Sequence, residues 1–95
     1  MLHGRLAAQS GARDELLAIL TGQSAAMPGC RLYVVAVDDD DPDGVWVTEV
    51  WESADDHAAS LQIESVQARI ARALPLIDRS GIRQQRLTAL TGVPA

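Results

Sequence analysis

The sequence predicts an α+β domain in which strands and helices follow the order β-α-β-β-α-β, and three observations indicate this order. Residues 2–9 alternate with a period of two before helical spacing begins at Ala12. Two strand-like runs, residues 30–37 and 45–51, flank a turn rich in Asp, Pro and Gly. An apolar stripe with a spacing of three or four residues then extends over residues 63–77.

The first strand and the first helix are predicted from a change of period. Leu2 to Gln9 alternates as a half-buried strand does, and Ser10-Gly11 ends it. From Ala12 the apolar residues recur at helical spacing, and acidic residues occupy the first turn, where the helix dipole favours anions. We expect this helix to end before Pro28, because proline disfavours helical geometry in the residue preceding it.

The middle of the chain predicts a β-hairpin. Cys30 to Val37 and Val45 to Trp51 are runs of strand length, and residues 38–44 between them read Asp-Asp-Asp-Asp-Pro-Asp-Gly. Two strands joined by so short a link are expected to pair antiparallel. The acidic run lacks the spacing and the distal Glu of an EF-hand calcium loop, so we interpret it as a solvated turn.

Two helices are predicted after the hairpin. Ser53 is a suitable N-cap for a short helix over residues 54–61, because acidic residues follow it in the first turn. The amphipathic stripe predicts a second helix, which Pro75 is expected to end or distort near Ala73.

The chain is then expected to close with one more strand. Ser80-Gly81 predicts a turn, residues 82–90 the last strand, and residues 91–95 a loose tail. The whole chain, residues 1–95, is interpreted as a single domain.

This order corresponds to the ferredoxin-like, split β-α-β arrangement, a four-stranded antiparallel sheet with helices on one face. The other face of the sheet remains open. Val34, Val35, Ala36 and Val37 are consecutive apolar residues that cannot all point to one side. Both sheet faces therefore need cover, and we expect a face-to-face homodimer to supply it.

Composition excludes several classes of function. The net charge is -5, all 8 basic residues are arginines, and only three residues are aromatic, so nucleic-acid binding is not expected. The single Cys30 has no partner for an internal disulfide, and no CxxC or His-rich spacing indicates a metal site. Because no long apolar stretch is present, we expect no membrane span and no signal peptide, and hence a soluble cytoplasmic protein.

Several segments together resemble a known family. These are Pro28-Gly29-Cys30-Arg31-Leu32-Tyr33 at the start of a strand, Val47-Thr48-Glu49-Val50-Trp51-Glu52-Ser53 at the end of another, and the short helix with His57. The chain resembles the antibiotic biosynthesis monooxygenase family, and within it the small quinol-monooxygenase-like proteins. The resemblance implies a dimeric α+β barrel with a pocket between the sheet and the helices of each subunit. It also implies that a small phenol, anthrone or hydroquinone is oxidised with O₂ and that no metal or flavin cofactor is needed.

Such a reaction requires a general base, donors that hold an oxyanion, and a dry cavity. His57 is the candidate base, because an imidazole titrates near neutral pH. Arg5 and Trp51 are the further candidate catalytic residues, expected to orient a phenolate or to stack on it. Many relatives carry a histidine about three residues later, where this chain has Ser60, one helical turn from His57.

The candidate substrate-binding residues are Tyr33, Glu49, Ser60 and His3. Tyr33 offers a ring and a hydroxyl. Glu49 has the same strand parity as Trp51 and is therefore expected on the same sheet face. No metal ligands are predicted.

Other conspicuous residues have plainer interpretations. Trp46 is expected in the core or a dimer interface, and Cys30 as a small buried side chain. Arg69 and Arg72 lie off the apolar stripe and are interpreted as surface charges. A haem-degrading branch of the same fold uses an Asn where this chain has Gly4, so that activity is not expected.

Two alternatives to a monooxygenase stay open on the sequence. A ferredoxin-like dimer also serves as a non-catalytic small-molecule binder, and the scarcity of aromatic residues agrees with that role. An isomerase or decarboxylase of a related dimeric barrel family needs only a proton shuttle and consumes no O₂.

Overall fold

The computed structural model of the chain describes residues 1–22 and 27–93. The order β-α-β-β-α-β is confirmed, with two helices in the second helical region. The elements are β1 (Leu2–Ala8), α1 (Arg13–Thr21), β2 (Cys30–Val37), β3 (Gly44–Trp51), α2 (Ala54–Ser60), α3 (Glu64–Ala73), the 3₁₀ turn Leu74–Leu76 and β4 (Ile77–Arg86). Two stretches touched by the predictions lie outside the described residues, namely 23–26 before Pro28 and 94–95 of the expected tail.

The four strands form one antiparallel sheet in the order β2-β3-β1-β4. The interior strand β1 pairs with β3, with Leu6 opposite Val45, and with β4, with Gly4 opposite Gln84. This strand order with helices packed on one face is the ferredoxin-like arrangement, so the predicted fold class is confirmed.

The core lies between the sheet and the helices and consists of small aliphatic side chains. Leu16 of α1 and Val45 of β3 are fully buried. Ala8, Ala73 and Ile77 complete the cluster of buried residues around them. Residues from α1, α3 and three strands therefore meet in one layer.

The register divides each strand between two faces of the sheet, since side chains alternate along a strand and directly paired residues share a face. We call the face covered by the helices the inner face and the opposite one the outer face. Paired inner-face residues are Leu6 with Val45 and Tyr33 with Glu49. Paired outer-face residues are Arg5 with Trp46, His3 with Thr48, and Val34 with Thr48.

The last strand differs from the prediction: β4 spans Ile77–Arg86, so it starts before Ser80-Gly81 and ends before Leu90. The expected turn at Ser80-Gly81 is instead an irregularity within β4, where the pairing with β1 shifts register between Arg5 and Ala7. Asp78 Oδ1 accepts hydrogen bonds from the backbone N–H and the hydroxyl of Ser80, at 3.1 and 2.7 Å. These local bonds are typical of a turn, but here they form inside a paired strand.

The acidic hairpin of residues 38–43 is held by hydrogen bonds, which agrees with its interpretation as a turn. Arg13 Nη1 donates to the carbonyl oxygen of Asp41 at 2.9 Å and to that of Asp38 at 3.3 Å. The indole N–H of Trp46 donates to Asp38 Oδ2 at 3.1 Å. This bond is the main reason that the pKa of Asp38 lies below its usual value, because it favours the charged carboxylate.

None of the helices formed by the described residues is long and apolar enough to cross a membrane.

We expect Leu16→Ala to lower the free energy of unfolding by about 2–5 kcal/mol, because it leaves a cavity at a fully buried position. Urea denaturation followed by circular dichroism measures the change. Leu90→Ala is the matched control, since Leu90 is 91% exposed and its truncation creates no cavity. Equal stability of the two variants would contradict this placement of the core.

Candidate active site

A cavity of about 340 Å³ lies between the inner face of the sheet and the helices. Its wall combines aliphatic side chains with a few polar ones. The mouth includes Leu61, Ile70 and Leu74, which are partly exposed. The lining residues are Leu6, Leu20, Met27, Tyr33, Glu49, Trp51, His57, Ser60, Leu61, Val66, Arg69, Ile70, Ala73, Leu74, Ile77 and Gln84. An apolar cavity with a few converging polar groups is the usual form of a small-molecule site.

The strands contribute Tyr33, Glu49 and Trp51 to this wall. Tyr33 of β2 lies directly opposite Glu49 of β3. The indole N–H of Trp51 donates to Glu49 Oε1 at 3.2 Å, which shows that the two side chains share the inner face. The sequence parity of Glu49 and Trp51 therefore predicted their common face correctly.

The short helix α2 brings His57 to the cavity. Ser53 caps this helix by accepting a hydrogen bond on Oγ from the backbone N–H of Asp56 at 3.1 Å. The imidazole of His57 lies against the indole of Trp51, with ring centroids 5.3 Å apart and planes tilted by 55°. Among the described residues no side chain or backbone group hydrogen-bonds to the imidazole.

Ser60 also lines the cavity, but its hydroxyl is used within α2. Ser60 Oγ donates to the carbonyl oxygen of His57 at 2.6 Å, and the residue is buried. Because this bond satisfies the donor capacity of the hydroxyl, Ser60 supplies shape to the cavity and stabilises the helical turn that carries His57.

Arg69 is a cavity residue that the sequence interpretation placed on the surface. It is half-buried on α3, between the buried residues Val66 and Ala73. The spacing contained an indication, because residues three and four apart share a helix face and Arg69 follows Val66 by three. Its charge led to the surface interpretation. Gln84 of β4, on the inner face opposite Gly4, was likewise missed.

The hydroxyl of Tyr33 is influenced by charges of both signs. Burial is the main cause that raises the pKa of Tyr33 above its usual value; the positive charge of Arg69 lowers it and the negative charge of Glu49 raises it. The pKa of nearby Cys30 is raised by burial and then by Glu49. Cys30 is half-buried rather than fully buried, with its thiol 3.6 Å from the carbonyl oxygen of Leu32.

A second cavity of about 200 Å³ adjoins the first and shares part of its wall. The shared residues are Leu6, Leu20, Tyr33, Glu49 and Gln84. The space under the helices therefore has two lobes, with the polar groups of Tyr33, Glu49 and Gln84 where they meet.

Two predicted site residues, Arg5 and His3, have their polar groups outside the larger cavity. Arg5 forms an ion pair with Asp41 of the hairpin, although part of the residue borders the second cavity. His3 stacks on Trp46 with centroids 5.2 Å apart, and its Nδ1 hydrogen-bonds with Thr48 Oγ1 at 2.9 Å. The structure thus brings His57, Trp51, Tyr33, Glu49 and Ser60 together and leaves His3 and the guanidinium of Arg5 apart from them.

Within residues 1–22 and 27–93, no group of three or more His, Cys, Asp or Glu side chains is arranged to hold a metal ion.

Comparison with known proteins identifies the family. The model of the family described as antibiotic biosynthesis monooxygenase matches residues 1–72. The chain belongs to the antibiotic biosynthesis monooxygenase family. This membership supports a monooxygenase-type role. None of the curated proteins compared with the chain matches it.

Solved structures agree with this assignment to the antibiotic biosynthesis monooxygenases. A protein from Chloroflexus aurantiacus whose name assigns it to the same family is 43% identical, with a TM-score of 0.82 over 98% of this chain and 96% of that one. A variant of SnoaB, a cofactor-independent oxygenase from Streptomyces nogalater, is 16% identical, with a TM-score of 0.79 over 99% and 95% of the two chains. A Pseudomonas aeruginosa protein is 19% identical, with a TM-score of 0.81 over 95% and 92%. The last two likenesses show the fold alone.

The titration of Tyr33 provides a direct test of the electrostatics of the cavity in this family member. Tyr33 is the only tyrosine, and the chain has no lysine that would titrate in the same pH range. Because burial raises the pKa of Tyr33, we expect its tyrosinate absorbance to titrate at a higher pH in the folded protein than in the urea-unfolded chain. The unfolded chain then loses this proton first, so the free energy of unfolding falls as the pH rises above about 10. Tyr33→Phe should remove that contribution.

Glu49→Gln should lower the pKa of Tyr33, because it removes a neighbouring negative charge. Glu52→Gln is the matched control, since Glu52 is exposed and interacts with Arg31. A folded-state titration of Tyr33 that coincides with that of the urea-unfolded chain would refute this environment.

Proposed function

We propose that the chain is a cofactor-independent monooxygenase that oxidises a small phenolic or hydroquinone-type molecule with O₂ in the cavity under its helices. The observation that carries this proposal is the contact between His57 and Trp51 on the cavity wall, beside Glu49 and Tyr33. This contact supports the proposal because an imidazole can accept a proton and here lies next to a flat ring surface in a largely apolar space. Membership of the antibiotic biosynthesis monooxygenase family supports the reaction class.

The chemistry needs no external reductant. When a phenol becomes a quinone, one atom of O₂ becomes the new carbonyl oxygen and the other leaves as water. That water carries the hydrogen of the attacked carbon and the hydrogen of the hydroxyl. The four electrons that reduce O₂ come from the substrate. The protein therefore has to ionise the substrate, hold it and exclude bulk water.

We assign the proton transfer to His57, which accepts the phenolic proton so that the resulting anion transfers an electron to O₂. The indole of Trp51 provides a surface for the substrate ring, and Glu49 fixes that indole through its N–H. Tyr33 keeps its own proton at neutral pH, as an ordinary tyrosine does, and is available as a hydrogen-bond donor. The guanidinium of Arg5 is assigned to the hairpin, where it pairs with Asp41.

A second candidate function is non-catalytic binding of the same class of molecule. It is favoured by the absence, among the described residues, of a group that orients the imidazole of His57, since a catalytic base is usually held by a further hydrogen bond. The two functions differ in a simple observable: a binder retains the molecule unchanged and consumes no O₂.

We also propose that two copies of the chain pair through the outer face of the sheet. Val34 is 43% exposed there, and Trp46 and His3 form a flat stacked surface beside it. An exposed apolar face on an antiparallel sheet is a typical association surface.

We expect His57→Gln to reduce O₂ consumption by about a hundredfold to ten-thousandfold, the usual contribution of a general base. An oxygen electrode with a panel of hydroquinones, phenols and anthrones measures this rate, and labelled O₂ establishes that one oxygen atom enters the product. His3→Gln changes the histidine on the outer face and is expected to retain the activity. Absence of O₂ uptake with every substrate, despite binding, would favour the binder.

We expect Val34→Arg to convert a dimer into a monomer, because it introduces a charge into the proposed contact. Sedimentation velocity measures the mass in solution. Val37→Arg is the matched control, since Val37 is similarly exposed, at 45%, but has inner-face parity opposite Val45. A wild-type monomer at high concentration, or equal effects of both substitutions, would rule out the proposed interface.

A further inference from the structure

The wall of the larger cavity includes a positively charged side chain to which the proposed reaction assigns no role. Arg69 lies on its α3 wall, whereas the carboxylate of Glu49 lies on the sheet wall. In the part of the chain that the structure describes, Arg69 is the only arginine lining this cavity. It is half-buried, although Gln67 and Ala68 beside it are exposed.

Three of the other donors expected near the cavity are already committed to protein partners, and the hydroxyl of Tyr33, which is available, carries no positive charge. The indole N–H of Trp51 is bonded to Glu49, and the hydroxyl of Ser60 is bonded to the backbone of α2. The guanidinium of Arg5 is paired with Asp41 at the hairpin. A guanidinium carries five N–H donors and binds several partners at once, so Arg69 can keep a protein contact while it receives a ligand.

The two charges also define a direction across the cavity. The hydroxyl of Tyr33 experiences both of them, since Arg69 lowers its pKa and Glu49 raises it. An anionic oxygen entering the cavity is repelled by Glu49 and attracted to Arg69. It is therefore expected to settle on the α3 side, with the ring of the molecule toward the indole of Trp51.

We propose that Arg69 is a substrate-binding residue that holds an acidic oxygen, so that the cavity selects aromatic molecules with a carboxylate or an ionised phenol over neutral aromatics. This inference rests on the proposed function, because it names the class of substrate for that site. The inference adds a substrate-binding residue on α3, a helix on which the sequence analysis predicted none.

The test compares the binding of two unreactive molecules of the same shape, naphthoate and its neutral amide, by isothermal titration calorimetry at neutral pH. The wild type should prefer naphthoate, and Arg69→Gln should lose about tenfold to a hundredfold of that preference, the usual worth of a hydrogen bond to a charged group. Arg72→Gln is the matched control, because Arg72 lies one turn away in a surface groove beside Glu15 and Gly22 of the α1 region. Arg69→Lys should keep part of the preference, since it keeps the charge without the planar fork.

Naphthol distinguishes the two kinds of acidic oxygen. Its absorbance changes on ionisation, so binding as naphtholate by the wild type but not by Arg69→Gln identifies an ionised phenol as the ligand. Preference for naphthoate with no ionisation of naphthol identifies a carboxylate.

Two results would overturn the role of Arg69: a wild type that binds the amide as tightly as naphthoate, or an Arg69→Gln protein with unchanged preference. If Arg69→Gln fails to fold, as judged by circular dichroism, Arg69→Lys decides by the same comparison. O₂ uptake is measured on the same samples. Selective binding of naphthoate without any O₂ uptake contradicts the monooxygenase function but supports the role of Arg69. O₂ uptake with a KM that is unchanged in Arg69→Gln supports the monooxygenase function but contradicts the role of Arg69.

Discussion

The side chains that β1, β3 and β4 contribute to the cavity are placed there by the register in which β1 pairs with β3 and β4. At Gly4 the neighbouring strand comes so close that an added Cβ would lie 2.8 Å from the carbonyl oxygen of Arg83. A residue without a side chain therefore permits the β1–β4 pairing at this point. Because the period of a strand is two, a one-residue slip of β3 would turn Glu49 and Trp51 away from the helices. The core and the site thus depend on the same pairing.

That register also determines which charged side chains bind the acidic hairpin and which line the cavity. Arg5 on the outer face and Arg13 on α1 both bind the acidic hairpin of residues 38–43, where they compensate its negative charge and satisfy its carbonyl groups. The carboxylate of Glu49 faces inward, and the larger cavity also has a positive charge on its wall, Arg69 of α3. Opposite charges therefore lie on opposite walls of a small apolar space, where their interaction with a ligand is stronger than in water.

The scarcity of aromatic residues shapes both the core and the site. With Phe absent, the core is filled by Leu, Val, Ile and Ala, which leave the two-lobed cavity under the helices. Two of the three aromatic residues, Tyr33 and Trp51, lie on its wall. Trp46 lies on the outer face, where it stacks with His3. Ring surface is thus concentrated where a planar ligand or a second copy of the chain would use it.

The sequence by itself determined the order of the elements, the hairpin, the helix carrying His57, and the common face of Glu49 and Trp51. These features depend on periods of two and 3.6 residues and on capping and turn residues, which act over short distances along the chain. The sequence analysis misplaced the start of β4. The hydrogen bonds of Ser80 to Asp78 are typical of a turn, and the local sequence does not show that a neighbouring strand pairs with this segment.

Only the tertiary structure decided which of these residues meet. Trp51 and His57 come together because α2 folds back over the end of β3, whereas Arg5 is drawn to Asp41 on the hairpin. Arg69 lines the cavity because α3 buries the face that carries Val66 and Ala73, and its charge alone predicted a surface position. Which residues line a cavity depends on strand register and on helix packing between distant parts of the chain. The local periodicity of the sequence does not determine either of these.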